Sequence, residues 1–284
     1  MVKTIAVLGA GTMGHGIAHA AMAAGYSTRL YDISQTQLNM AVGQVMSILK
    51  KGVDLGKHSQ DDCNSTFDRL TATTSVTEAV AKADVIIEAA PEKAELKIAL
   101  LSAVEASAPA GAVIASNTSA LSITELAAVL KNPGRMGGMH FFNPVHKMKL
   151  IEIVQALESA PETLQAIEAV SKQMGKETVL VRESPGFITS RVNAMIGNEA
   201  FLMLQEGVAT AEDIDKALKL GLNHPMGPFE MVDLVGLDTR LAVLEFLHKS
   251  LGEKYRPAPL LVQHVKAGRL GKKVGRGVYD YGDP

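Results

Sequence analysis

The chain has 284 residues, with 28 Lys and Arg against 30 Asp and Glu, a formal net charge of −2 and 47% hydrophobic residues. That length suggests two domains with enough apolar material for packed cores, and it argues against disorder. The charge balance holds in both halves, which argues against DNA or RNA as the main partner.

The single cysteine, Cys63, allows neither an internal disulfide nor a zinc cluster. Met1-Val2-Lys3 runs straight into a short apolar stretch followed by glycines, so no export signal is expected. No run reaches the roughly 18 apolar residues that a membrane helix needs. A soluble protein of the reducing cytoplasm is the expectation.

Short β-branched runs at residues 4–8, 28–31, 84–88, 112–116, 136–141, 149–154 and 178–181 read as strands. Helical stretches between them begin near Thr12, Gln35, Lys93 and Ser122. Ser122 is a candidate N-cap, because Glu125 follows three residues on. This alternation predicts βαβ units around a parallel sheet. Beyond Arg182-Glu183-Ser184-Pro185-Gly186 the rhythm changes to helices alone, expected over 187–206, 211–220, 230–251 and 259–267. The expected domains are therefore 1–183 and 184–284. The glycine-rich, basic stretch 268–279 has two readings, a phosphate site or a tail packed back on the helices, and the second is preferred.

Gly9-Ala10-Gly11-Thr12-Met13-Gly14 fits G-x-G-x-x-G, follows the first strand and opens a helix. Its glycines allow a tight turn, a close approach of backbone N–H groups to a pyrophosphate, and close helix packing. Asp32 ends the second strand, where an acid can accept from an adenosine ribose and repel a 2′-phosphate. These features predict an α/β fold, an N-terminal Rossmann-like doubly wound sheet holding NAD with an all-α C-terminal domain after it. His15 and His19 are spaced i,i+4 on the same helix but have no evident third ligand, so no metal is expected.

His140 lies at the end of a predicted strand, in His140-Phe141-Phe142-Asn143-Pro144-Val145. Glu152 follows within Lys149-Leu150-Ile151-Glu152-Ile153-Val154, among aliphatics. A buried carboxylate needs a partner, and an imidazole beside it makes an acid–base pair suited to moving the proton of a substrate hydroxyl.

Several motifs stand in order along the chain. After the glycine fingerprint come Glu88-Ala89-Ala90-Pro91-Glu92, Ser116-Asn117-Thr118-Ser119, the His140 segment and Glu152. Ser184-Pro185-Gly186-Phe187, His224-Pro225-Met226-Gly227-Pro228 and the glycine-rich tail complete the set. In these the sequence resembles the 3-hydroxyacyl-CoA dehydrogenase family over essentially its whole length, and more closely the short bacterial 3-hydroxybutyryl-CoA dehydrogenase members.

The resemblance implies reversible, NAD-dependent oxidation of (S)-3-hydroxyacyl-CoA to 3-oxoacyl-CoA. It makes His140 the acid–base catalyst with Glu152 as its partner. Ser119 then hydrogen-bonds the substrate oxygen and Asn143 supports the site, while Glu92, Lys97 and Asn117 stand beside NAD. Lys50 or Lys51 meets the CoA phosphates. One position departs from the family: Ser190 stands where an Asn usually precedes the Arg after Pro-Gly-Phe. Asn193, three residues on, shares that helical face, so Ser190, Asn193 or both are expected to border the substrate. The apolar faces of the C-terminal helices, above all 230–251, predict a homodimer. Two rival readings are a dehydrogenase of small free 3-hydroxy acids, with a lysine where His140 stands, and a non-catalytic NAD-binding sensor.

Overall fold

The run Thr-Ile-Ala-Val-Leu forms β1 (Thr4–Leu8), whose last four residues are fully buried. A strand covered on both faces reads as a continuous apolar run, which is why this one is so plain in the sequence. The computed structural model describes residues 2–282 and divides into two compact units, Met1–Ser184 and Pro185–Pro284.

In the first unit β1 is followed by α1 (Thr12–Ala23), β2 (Ser27–Tyr31), α2 (Gln35–Asp54), α3 (Gln60–Phe67), β3 (Leu70–Thr73), α4 (Val76–Val80) and β4 (Val85–Glu88). Then come α5 (Ala94–Ser107), β5 (Val113–Ser116), α6 (Ile123–Ala127), β6 (Met136–Phe141), β7 (Leu150–Gln155), α7 (Pro161–Gln173) and β8 (Glu177–Arg182). The strands form one sheet in the order β3-β2-β1-β4-β5-β6-β7-β8. All neighbours pair in parallel except β6 with β7. This is a mixed α/β, Rossmann-like sheet. Its strand order reverses between β1 and β4, and such a switch point opens a crevice at the carboxyl ends of the strands.

Three helices and one strand, α3, α4, α7 and β3, go beyond the elements expected from the sequence. Ser122 does cap α6, its hydroxyl accepting from the Glu125 N–H at 3.1 Å. The β6–β7 connection is too short for a helical crossover, so the chain returns antiparallel. That return places His140 directly opposite Glu152.

The second unit contains α8 (Thr189–Glu206), α9 (Ala211–Gly221), α10 (Pro228–Val235), α11 (Leu237–Leu251) and α12 (Pro259–Lys266). Phe201 and Phe229 meet edge-to-face at its centre, packed with Leu244, Leu247 and Leu261. The expected single helix over 230–251 is two helices. Gly236, at φ +106, breaks it, and the left-handed region is one that glycine enters without a Cβ penalty. The basic tail packs against α10: Asp233 accepts from the N–H groups of Val278 and Tyr279, both at 2.9 Å, and from the Tyr281 hydroxyl. Among the described residues no helix is long and apolar enough to cross a membrane.

Candidate active site

The first βα turn shows what each glycine does. Gly9 has φ +107, and a Cβ there would lie 2.6 Å from the Ala89 carbonyl oxygen. At Gly14 a Cβ would fall 1.7 Å from the Gly9 oxygen, so this glycine serves the packing of α1 on β1. A Cβ at Gly11 would meet nothing within 4 Å. No packing partner in the chain requires a glycine at 11, and the space it leaves is a cradle for a ligand backbone. Gly11 caps α1 without a side-chain bond and the first turn carries no acid, so its N–H groups and positive dipole end suit a phosphate.

Gly9, Gly11, Thr12, Met13 and Asp32 line one side of a cavity of about 810 Å³. Glu92, Lys97, Asn117, Ser119 and His140 line the other. Asp32 is braced by the N–H groups of Ala10 and Ser34, each at 2.9 Å. Gln37, which the sequence reading passed over, also borders the cavity and donates to the Ala10 carbonyl at 2.9 Å. The residues on this side fit the two phosphates and the adenosine ribose of NAD.

On the far side a buried ion network holds the wall in place. Lys97 is 1% exposed, and its ammonium reaches Glu88 Oε1 at 2.6 Å and Glu92 Oε2 at 3.3 Å. Ser116 donates to the other Glu88 oxygen at 2.5 Å. Glu92 accepts in turn from the Thr118 hydroxyl at 2.5 Å and the Ser119 N–H at 2.9 Å. Burial would push the Glu92 carboxyl up, but Lys97 and these donors hold it below the usual carboxylate range. Lys97 therefore acts first as the anchor of the 117–120 turn. The sequence reading gave Glu88 and Thr118 no role, although an acid closing the apolar strand Val-Ile-Ile-Glu signals a buried partner.

Asn117 accepts from the Phe141 N–H at 2.9 Å, which ties this turn to β6. The Ser119 hydroxyl has a long bond to Glu92, 3.3 Å, that a better acceptor can displace. Beside them, His140 Nδ1 stands 2.8 Å from Glu152 Oε2, with Glu152 wholly buried and His140 7% exposed. Phe142 packs on the imidazole with ring centroids 4.7 Å apart. A carboxylate can only accept, so Nδ1 donates to it and the basic lone pair lies on Nε2.

Other expected residues are not among those lining this cavity. Asn143 is exposed beyond the end of β6, and Lys50 and Lys51 are exposed on the last turns of α2. Ser190 and Asn193 occupy the first turns of α8, in the second unit. His15 Nδ1 lies 3.0 Å from the Gly11 carbonyl, and His19 faces His146. No group of three or more metal-ligating side chains occurs among the described residues.

Comparison with known proteins agrees with this architecture. Residues 4–184 match the model of the 3-hydroxyacyl-CoA dehydrogenase NAD-binding domain, and residues 186–281 match that of the C-terminal domain. A Bacillus subtilis protein named "Probable 3-hydroxybutyryl-CoA dehydrogenase" is 43% identical over 99% of this chain and 98% of that protein. The "3-hydroxyadipyl-CoA dehydrogenase" of Escherichia coli is 42% identical over 99% of this chain and 59% of that protein. The crystal structure of an (S)-3-hydroxybutyryl-CoA dehydrogenase from Ralstonia eutropha superposes with a TM-score of 0.97 at 43% identity, covering all of both chains. A glycine cradle, a braced acid at the end of β2 and these full-length matches place the chain in the 3-hydroxyacyl-CoA dehydrogenase family, as an NAD-dependent dehydrogenase.

Proposed function

We propose that the protein interconverts (S)-3-hydroxyacyl-CoA and 3-oxoacyl-CoA, with short acyl chains such as 3-hydroxybutyryl-CoA as substrates. The observation that carries this reading is the His140–Glu152 pair at the wall of the dinucleotide cavity. NAD, when bound, supplies the hydride acceptor. His140 Nε2 takes the proton of the 3-hydroxyl as the carbon is oxidised, and returns it in the reverse direction. Glu152 holds the imidazole in the tautomer that leaves Nε2 basic and balances the imidazolium as it forms.

Ser119 hydrogen-bonds the substrate oxygen after leaving its long bond to Glu92, and Asn143 supports that end of the site. Gly9, Gly11, Thr12, Met13, Gly14, Asp32, Glu92, Lys97 and Asn117 hold or position NAD. Asp32 favours NAD over NADP through like-charge repulsion of a 2′-phosphate. Ser190 and Asn193 border the acyl group, and Lys50 or Lys51 meets the CoA phosphates. The first unit thus receives the dinucleotide, and the second supplies residues to the acyl-CoA.

A second copy of the chain completes the assembly through the helical unit. Burial of Val232, Leu237, Leu244 and Leu247 within that unit satisfies much of the apolar face over 230–251. Leu220, Leu222 and Leu234 are still exposed and support the pairing. The lone cysteine, buried and free, suits a reducing cytoplasm.

The test is NADH oxidation with acetoacetyl-CoA and with free acetoacetate, in wild type and in His140→Ala. Turnover of the CoA ester alone, abolished in the variant while NADH still binds, is expected. Preference for the free acid, or full activity in His140→Ala, would overturn the reading.

A further inference from the structure

Gly16 of α1 and Val145 of the β6–β7 connection lie so close that a Cβ on the glycine would be 2.9 Å from the valine side chain. The helix face around this contact carries His19, one turn beyond His15. His146 follows Val145, and its ring stands edge-on to that of His19 with centroids 6.4 Å apart. Lys176, just before β8, holds the connection by donating to the carbonyls of Val145 at 2.5 Å and Met148 at 2.8 Å. An ammonium has three donors, so one N–H is left over. His58 joins from the loop after α2, folded back until its Cδ2 would lie 2.8 Å from a Cβ at Gly52.

Basic side chains thus converge from four parts of the first unit, and no acid answers them. Beside burial, the charges acting most strongly on His19 are those of His146, His58, Lys176 and His15. On His146 they are those of Lys147, Lys176, His15 and Lys51. None of His15, His19, His58, His146 and Lys176 makes an ion pair among the described residues. His19 Nδ1 is buried without a hydrogen-bond partner, at the floor of the group, while His58 and His146 are exposed at its rim. A ring nitrogen is always a donor or an acceptor, so burying one unpaired costs free energy that a ligand at this floor would recover. The lysines would repel a metal ion, and among the described residues no three side chains are placed to hold one. An anion meets the opposite situation, because each protonated imidazole offers it a charge-assisted hydrogen bond.

We propose that His19, His58, His146 and Lys176 form a binding site for a phosphate dianion, which enters together with a proton taken up by the histidines. A phosphoryl group presents three or more oxygens in different directions, which suits donors arriving from several elements better than a planar carboxylate does. Binding of the anion favours the charged imidazoles, so by linkage affinity rises as the pH falls, up to about tenfold per pH unit for each proton taken up. Free orthophosphate and the nucleotide end of an acyl-CoA both carry this group.

The probe is sulfate, whose two charges do not change between pH 5.5 and 8, measured by calorimetry in phosphate-free buffers. Wild type is expected to bind it at least tenfold more tightly at pH 5.5 than at pH 8, with a heat that varies with the ionisation heat of the buffer. Orthophosphate should bind to the same site in competition with sulfate. His19→Gln and His146→Gln should each weaken sulfate binding at pH 5.5 at least tenfold, and melting curves check that both variants fold. Competition then identifies the source. Displacement of sulfate by CoA but not by dephospho-CoA supports the site as one for the nucleotide end of the substrate, and simultaneous binding of CoA and sulfate supports it as one for free phosphate. Absence of sulfate binding to wild type at about 20 mM would overturn the proposal even if neither variant folds. Equal affinity at the two pH values, or affinity unchanged in both variants, would overturn it as well. These are binding measurements, so their outcome is separate from turnover of any ester.

Discussion

His140 and Glu152 form a registered pair across the antiparallel seam between β6 and β7, with Nδ1 and Oε2 2.8 Å apart. A pair directly opposite on two strands is held by backbone bonds on both sides, so its geometry does not depend on side-chain packing alone. Glu152→Gln keeps the shape and an accepting oxygen but removes the charge that balances an imidazolium. We expect kcat to fall about 10²-fold or more while the NADH Kd stays within twofold. Stopped-flow turnover with fluorescence titration of NADH reads both, and a kcat near wild type would show that the glutamate has no part in the proton step.

Gly11 and Gly14 separate binding from folding. Open space surrounds a Cβ at 11, whereas one at 14 would overlap the Gly9 carbonyl oxygen at 1.7 Å. Gly11→Ala should melt like wild type and bind NADH at least tenfold more weakly, because the methyl group fills the cradle. Gly14→Ala should lower the melting temperature outright. Calorimetry of both variants, with and without NADH, checks the contrast; equal affinity in Gly11→Ala would remove the pyrophosphate from that turn.

Lys97 neutralises two acids at once, and one of them, Glu88, is wholly buried. Replacing it by methionine leaves Glu88 uncompensated, which costs about 3–5 kcal/mol when a buried pair is broken. For a protein of this size that corresponds to a melting temperature lower by roughly 6–20 °C. The double variant Lys97→Met with Glu88→Leu should recover much of the loss, since apolar replacements can match a buried pair. No recovery would mean that the network serves position more than charge balance.

The parts of this molecule legible in its sequence are those where one physical signal dominates. The central strands are apolar on both faces, and β1 and β6 have the bounds expected from the sequence. β3, Leu-Thr-Ala-Thr, is a short edge strand with exposed polar residues and gives no such signal. α3 is polar but for Cys63 and Phe67, and its start is set by a Ser59–Asp62 capping box rather than by apolar period. The break at Gly236 hides inside a run whose hydrophobic spacing continues across it. Within the cavity, the glycine fingerprint and the His140 segment are local and readable. The roles of Glu88, Lys97 and Thr118 emerge only when the ends of β4 and β5 meet α5, which spacing along the chain does not reveal.

His19 makes stability depend on pH. Burial, foremost, and then His146, His58, Lys176 and His15 around it lower its pKa to about 4, from 6.5 in an unfolded chain. Its ring lies 6.4 Å from that of His146, and its Nδ1 is buried without a partner. Between pH 6.5 and 4 the unfolded chain binds a proton that the folded one refuses, so stability is full above 6.5 and declines as the pH falls towards 4. The loss from this residue alone is on the order of 2–3 kcal/mol. His19→Gln, neutral at every pH, should flatten the curve by that amount. A residual slope from His146, whose pKa burial and the nearby lysines Lys147 and Lys176 also lower, should persist. Urea unfolding from pH 4 to 8 measures it, and superimposable curves for variant and wild type would show that His19 takes up its proton as readily in the folded protein as in the open chain.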